Sequence, residues 1–306
     1  MTHHTFLGLP HVSLEALEPG AAAAVILGVP HGVPYPVPGL TAGCADAPSA
    51  IRARSRRLAR FAGHHDFDLD GPMLPPGSSF HAVDAGDLAG SPDDGPGNAA
   101  RAEEAIRAVL AAGAMPIVLG GDDSVTIPVV RAFADHGPLT VVQVDAHLDF
   151  RDEVAGVREG YSSPMRRSAE MAHVERIVQV GLRGVGSART SDVADARAAG
   201  NLLVTARQLR ERGVPWLLDQ LPADRPAFLA FDLDGLDPSV VPAVSGLSPG
   251  GIGYQEGLDL VAGVVQRRGV VGAAFTELVP SLDRNGISAL VAVRLVMRLL
   301  AELARR

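Results

Sequence analysis

Three acidic clusters hold the residues whose types and spacing can do chemistry. They are Ile117-Val-Leu-Gly-Gly-Asp-Asp-Ser124, Val141-Val-Gln-Val-Asp-Ala-His-Leu-Asp149 and Phe228-Leu-Ala-Phe-Asp-Leu-Asp-Gly-Leu-Asp-Pro238. In an extended chain, residues two apart share a face, so Asp145, His147 and Asp149 point one way, as do Asp232 and Asp234. Several anions in one low-dielectric pocket repel each other unless cations offset them, and divalent metal is the simplest offset. Mostly oxygen donors with one imidazole suit Mn²⁺, with other first-row metals open. Taken singly, each cluster reads as well as a loop, a helix N-cap or a solvated edge, and Asp237-Pro238-Ser239 as a turn or helix start. A histidine flanked by two aspartates at strand spacing has few such uses. Three clusters together point to a metal site.

Each cluster leaves an apolar run. Ala24–Val29, Met115–Leu119, Leu139–Val144, Arg176–Val180, Ala227–Phe231 and Val270–Phe275 are continuous rather than alternating, which predicts strands buried on both faces of a parallel sheet. Phe80–Val83 and Asn201–Val204 are weaker strands. Helical patterns cover Pro48–Phe61, Asn98–Ala112, Val125–Asp135, Ser191–Ala199, Tyr254–Gln266 and Gly286–Arg305. Asn98 reads as an N-cap and Gly113 as a stop. Strand and helix alternate, so the expected fold is α/β: three αβα layers around a mostly parallel, roughly eight-stranded sheet. Such sheets carry their sites at the carboxyl ends of the strands, where this sequence puts its carboxylates.

At 47% hydrophobic and 20% charged, the chain can bury a sizeable core. No linker or fixed-period repeat divides residues 1–306, so one domain is expected. Pro75-Pro76-Gly77 and Asp93-Asp94-Gly95-Pro96-Gly97 read as surface loops. The net charge of -8 argues against a nucleic-acid partner and suits a cationic substrate. Cys44 is the one cysteine, which excludes an internal disulfide framework and fits a reducing cytosol. The start of the chain lacks a secretory pattern and no apolar run spans a bilayer, so a cytoplasmic protein without a membrane partner is expected.

The chain resembles the ureohydrolase family of arginases, agmatinases and guanidino-acid hydrolases over nearly its whole length. Ile26-Leu-Gly-Val-Pro30, Pro38-Gly39 and Pro48-Ser-Ala-Ile-Arg52 look like the family's opening strand, loop and helix, and Asp84-Ala-Gly-Asp87 like its Asp-x-Gly-Asp segment. Asp145-Ala-His-Leu-Asp149 and Phe231-Asp-Leu-Asp-Gly-Leu-Asp-Pro238 resemble its two metal motifs. Ser245-Gly-Leu-Ser-Pro-Gly-Gly251 resembles its glycine-rich turn, and Glu277-Leu-Val-Pro280 the segment whose Glu holds the guanidinium. The resemblance implies an arginase-like fold, a homo-oligomer (trimer or hexamer) and two Mn²⁺ ions. Asp145 and Asp232 would bridge the ions, Asp149 would complete one shell, and His147 and Asp234 the other. Asp149 and Glu277 would be catalytic, the one moving the nucleophile's proton and the other orienting the substrate. The implied reaction hydrolyses a guanidino C–N bond to urea and an amine, on a small cationic guanidino substrate nearest to agmatine.

Two positions depart from the pattern. The family's Gly-Gly-Asp-His-Ser carries a ligand His where this chain has Asp123, a carboxylate that also binds metal but lowers its Lewis acidity. A Ser-His-Gly segment after the second cluster is replaced by Tyr161-Ser-Ser-Pro-Met165, and the reading in register puts Ser163 at that His. His31, after the first strand, is either a stand-in proton donor or a loop histidine. Arg151 and Arg158, in the charged loop 151–160, either meet a substrate carboxylate or pair within a solvated flap. Competing readings are an amidino or formimino hydrolase on the same fold, and a non-catalytic metal-binding homologue.

Overall fold

The computed structural model describes residues 4–36 and 41–306, so Pro38-Gly39 lies outside the described residues. Eight parallel strands form one sheet: β1 (Ala24–Val29), β2 (Ala82–Asp87), β3 (Met115–Gly120), β4 (Leu139–Val144), β5 (Val174–Leu182), β6 (Leu202–Thr205), β7 (Ala227–Asp232) and β8 (Val270–Thr276). Their order across the sheet is β2-β1-β3-β8-β7-β4-β5-β6. Every residue of β1, β4 and β7 is buried, as two-sided cover requires.

The helices are α1 (Ala47–Ala59), α2 (Gly95–Ala111), α3 (Thr126–Arg131), α4 (Pro164–Ala169), α5 (Thr190–Ala198), α6 (Ala206–Asp219), α7 (Tyr254–Arg268) and α8 (Ile287–Leu303). They cover both faces. One core joins Ile51 of α1, Leu217 of α6, Val261 of α7 and Leu295 of α8 to Ile117, Val142, Leu229 and Phe275 of the sheet. The other joins Ile106 of α2, Val129 of α3, Met165 of α4 and Ala196 of α5 to Leu27, Val118, Val141 and Phe228. This is the expected three-layer α/β fold.

Several local expectations need correction. Asn98 is not the cap of α2. Asp94 is, accepting from the Gly97 amide at 3.0 Å, so the 93–97 segment is partly the first helical turn with Pro96 inside it. Asn98 instead turns inward and donates to the Gly32 and Ser91 carbonyls. The helix expected over 125–135 is only α3, entered through a 3-10 turn at Asp123–Val125. Two helices had no sequence signal. The six residues of α4 are too few to show a period, and α6 is broken by Gly213 at φ +82 and by Pro215. Strand β2 runs past Val83 through Asp84 to Asp87, where Arg52 of α1 pairs with both aspartates.

Candidate metal centre and active site

The four middle strands of the sheet are β3, β8, β7 and β4, and each ends in acid. Asp123 follows β3, Glu277 follows β8, Asp232 ends β7 with Asp234 in the turn after it, and Asp145, His147 and Asp149 follow β4. Chain order separates them, but sheet order gathers them: Asp123 and Asp145 cluster with Asp149, and Glu277, Asp232, Asp234, His147 and Asp149 line one cavity of about 180 Å³. Its walls include Asp149, Asp232, Asp234, Glu277, His147, Tyr161 and Ser245.

Two trios present oxygen or nitrogen atoms all within 4.8 Å of one another: Asp145, His147 and Asp234, then Asp123, Asp145 and Asp149. Asp145 belongs to both. His147 Nδ1 lies 3.0 Å from Asp234 and 3.5 Å from Asp145. Asp232 lines the cavity without joining either trio, and its Oδ1 accepts from the Asp234 amide at 2.7 Å. Asp123 Oδ1 accepts from Thr126 and Thr276 at 2.8 and 2.9 Å, whereas its Oδ2 is buried without a hydrogen-bond partner.

Burial, followed by the charges of neighbouring aspartates, pushes the carboxyls of Asp123, Asp149 and Asp232 well above the ordinary carboxylate range. The same two causes bring Asp234 to about 6. Burial and the charge of Asp122 bring Glu277 to about 8, although the Ser245 hydroxyl pulls the other way. Burial disfavours a charged His147, but hydrogen bonds with Asp145 and Asp234 outweigh it and raise the imidazole to about 11. Such a cluster is a deficit of positive charge.

Glu277 is held from several sides. Oε1 accepts from the Asp123 amide at 2.8 Å, and Oε2 accepts from the Ser245 hydroxyl and, at 3.8 Å, from the Cys44 thiol. Glu277 and Asp149 both have positive φ, +70 and +47, a conformation costly for these residues and kept where surrounding structure forces it. Gly246 closes the glycine-rich turn over His147, since a Cβ there would sit 2.6 Å from the ring.

Other expected candidates lie elsewhere. Ser163 is fully buried at the start of α4, outside the cavity wall, while Tyr161 and Ser162 line it. Arg151 donates to the Ser187 and Glu153 carbonyls, and Arg158 pairs with Asp152 in the solvated loop. His31 packs on Gly90 away from the cavity lining.

Two supporting groups went unread in the sequence. Gln143 donates to Asp145 at 2.6 Å and accepts from Gln179, which in turn accepts from Asn201, a buried amide chain crossing β4, β5 and the start of β6. A glutamine inside an apolar strand run was its signal, because a buried amide needs partners. Arg183, just after β5, donates to the carbonyls of Gly181, Asp234, Gly235, Leu236 and Ser248.

Fold and cavity together define an arginase-like α/β protein. The chain belongs to the Arginase family, whose profile matches residues 22–301. At that level it is a hydrolase of guanidino or amidino C–N bonds. It is 31% identical to proclavaminate amidinohydrolase of Streptomyces clavuligerus over 98% of this chain and 93% of that protein. It is 29% identical to a mitochondrial agmatinase of Gallus gallus over 85% and 76%. A solved structure of the Streptomyces clavuligerus amidinohydrolase superposes at a TM-score of 0.82, covering 100% of this chain and 98% of that one at 29% identity.

Proposed function

We propose that this chain, acting as one domain over 1–306, uses a pair of divalent cations to hydrolyse a guanidino C–N bond, releasing urea and an amine. The observation that carries this is the pair of ligand trios that share Asp145 and contribute His147, Asp149 and Asp234 to the wall of a cavity that Glu277 also lines. The residues present fit such cations: the buried, unpartnered Asp123 Oδ2 lacks a positive partner, and the donors are oxygens with one imidazole, which suits Mn²⁺. Asp123, Asp145, Asp149 and Asp232 would hold one ion, and Asp145, His147, Asp232 and Asp234 the other. Bound there, the metals would supply the Lewis acidity that makes water a nucleophile near neutral pH.

The chain's own groups do the rest. Glu277 holds the planar guanidinium through paired charge-assisted hydrogen bonds and sets the angle of attack. Asp149, at the cavity wall, takes a proton from the attacking water and returns it toward the departing amine. No arginine or lysine lines the cavity among the described residues, and His147 already pairs with Asp145 and Asp234, so a substrate carboxylate would meet no unpaired cation there. That favours an agmatine-like substrate over a guanidino acid, in a cytoplasmic homo-oligomer.

The test is urea release by Mn²⁺-loaded protein over agmatine, arginine, guanidinobutyrate and a formimino compound, with metal content measured in parallel. Asp145→Asn should lose bound metal and turnover together. Turnover that survives in a metal-free sample would overturn the proposal, and formamide release in place of urea would transfer it to the formimino class.

A further inference from the structure

Tyr161 is a cavity residue whose chemistry the reaction above leaves unused. Its ring lies 4.5 Å from that of Tyr35, tilted by 57°. Tyr35 is itself fixed: its hydroxyl accepts from the Ser162 amide at 3.0 Å, and its ring covers Gly160 so closely that a Cβ would fall 2.0 Å from it. The segment 160–162 is therefore clamped by one buried ring, and the clamp sets Tyr161 in the wall shared with Asp149 and Glu277.

Two other hydroxyls near these acids are already committed. Ser245 donates to Glu277, and Thr41 hydrogen-bonds Asp122. The Tyr161 hydroxyl has no hydrogen-bond partner among the described residues. Burial, then the charges of Tyr35, Glu277, Asp122 and Asp149, pushes the phenol up to about 12, so it stays protonated in the working range. It is a donor among acceptors.

A guanidinium nitrogen offers no free lone pair, because resonance spreads it over the planar group. Once the carbon becomes tetrahedral, the nitrogen due to leave gains a lone pair and can accept. We propose that Tyr161 donates a hydrogen bond to that leaving nitrogen as the C–N bond breaks. The electron pair of the bond goes to nitrogen, and the net proton comes from the attacking water by way of Asp149, so the phenol is unchanged over the cycle. Tyr161 then acts in the transition state and not in the ground state. Tyr35 is a positioning residue. This role rests on the hydrolase reading above.

The experiment compares wild type, Tyr161→Phe and Tyr35→Phe, all Mn²⁺-loaded, on alkylguanidines whose amines differ in basicity. Tyr161→Phe should lower kcat about 10- to 100-fold, leave KM within about 3-fold and leave metal content unchanged. The loss should be greatest for the most basic amines, which need most help to leave. Tyr35→Phe should show a smaller loss with the same dependence. An active wild type with kcat in Tyr161→Phe within about 2-fold, or a loss equal for every amine, overturns the role of Tyr161 alone. A fully metal-loaded wild type that is inert on every guanidine overturns the hydrolase reading and this role together.

Discussion

Asp123 is proposed as a metal ligand. One of its oxygens is fixed by Thr126 and Thr276, which leaves the other buried without a partner. Asp123→Asn keeps an acceptor for both threonines while removing the charge. It should weaken metal binding roughly 10-fold or more, measured by metal titration. Unchanged affinity would show that Asp123 is not a ligand. Asp123→His should retain two ions and shift the order of preference among Mn²⁺, Co²⁺ and Zn²⁺. Ser245 acts on Glu277 in the same local way. Removing its hydroxyl takes away one charge-assisted hydrogen bond, worth about 1.5–3 kcal/mol. Glu277 must be ionised to hold a guanidinium, and without Ser245 its carboxyl rises above about 8. Ser245→Ala should therefore lower kcat/KM about 10-fold near neutrality and recover part of it at alkaline pH; a uniform loss across pH would refute this account.

Arg183 belongs to the scale of elements. Its guanidinium bonds no carboxylate; it ties the end of β5 to the loop after β7 and, through Ser248, to the glycine-rich turn. Those two segments carry Asp234 and Ser245. A lysine cannot reproduce the planar fork. With each charge-assisted hydrogen bond worth about 1.5 kcal/mol or more net, Arg183→Lys, which loses about two of them, should cost roughly 3 kcal/mol in denaturant unfolding. It should also weaken the metal site that holds Asp234 more than the one that holds Asp149. A loss confined to stability, with both sites equally occupied, would leave Arg183 a structural tie only.

For the molecule as a whole, the buried acids set how stability follows pH. Asp123, Asp149, Asp232, Asp234 and Glu277 all have raised carboxyls, the last two at about 6 and about 8. Between the ordinary carboxylate value near 4 and those raised values, the folded chain binds more protons than the unfolded one, so stability falls as pH rises. His147 has the same sign, since its contribution is complete below about 6.5 and fades as pH climbs towards about 11. Asp66 and Asp68 run the other way. Burial opposes their charge, but Arg294 and neighbouring hydrogen bonds hold them below the ordinary range, and their contribution is lost only in stronger acid. Metal-free protein should therefore melt roughly 5 °C higher at about pH 5.5 than at about pH 8. Mn²⁺ should reverse that order by favouring the deprotonated ligands. A metal-free Tm that rises from pH 5.5 to pH 8 would contradict this ledger of protons. No helix among the described residues is long and apolar enough to cross a membrane.

The sequence by itself determined the strands and the acids that leave them. Period and burial are local properties, so β1 and β4 were legible to the residue, but Asp145, His147 and Asp149 share no strand face: they follow the end of β4 in a bent segment with Asp149 at φ +47. It did not determine neighbours. Strands β3 and β4 follow each other in the chain, yet β8 and β7 lie between them, and only that order brings Glu277 to Asp123, 154 residues away. The seating of Tyr161 by Tyr35, the bonding of Gln143 to Gln179 and the inward turn of Asn98 likewise depend on contacts between distant segments. Local pattern records which face a residue prefers; which residue it then meets follows from how strands are ordered and how tightly the layers pack.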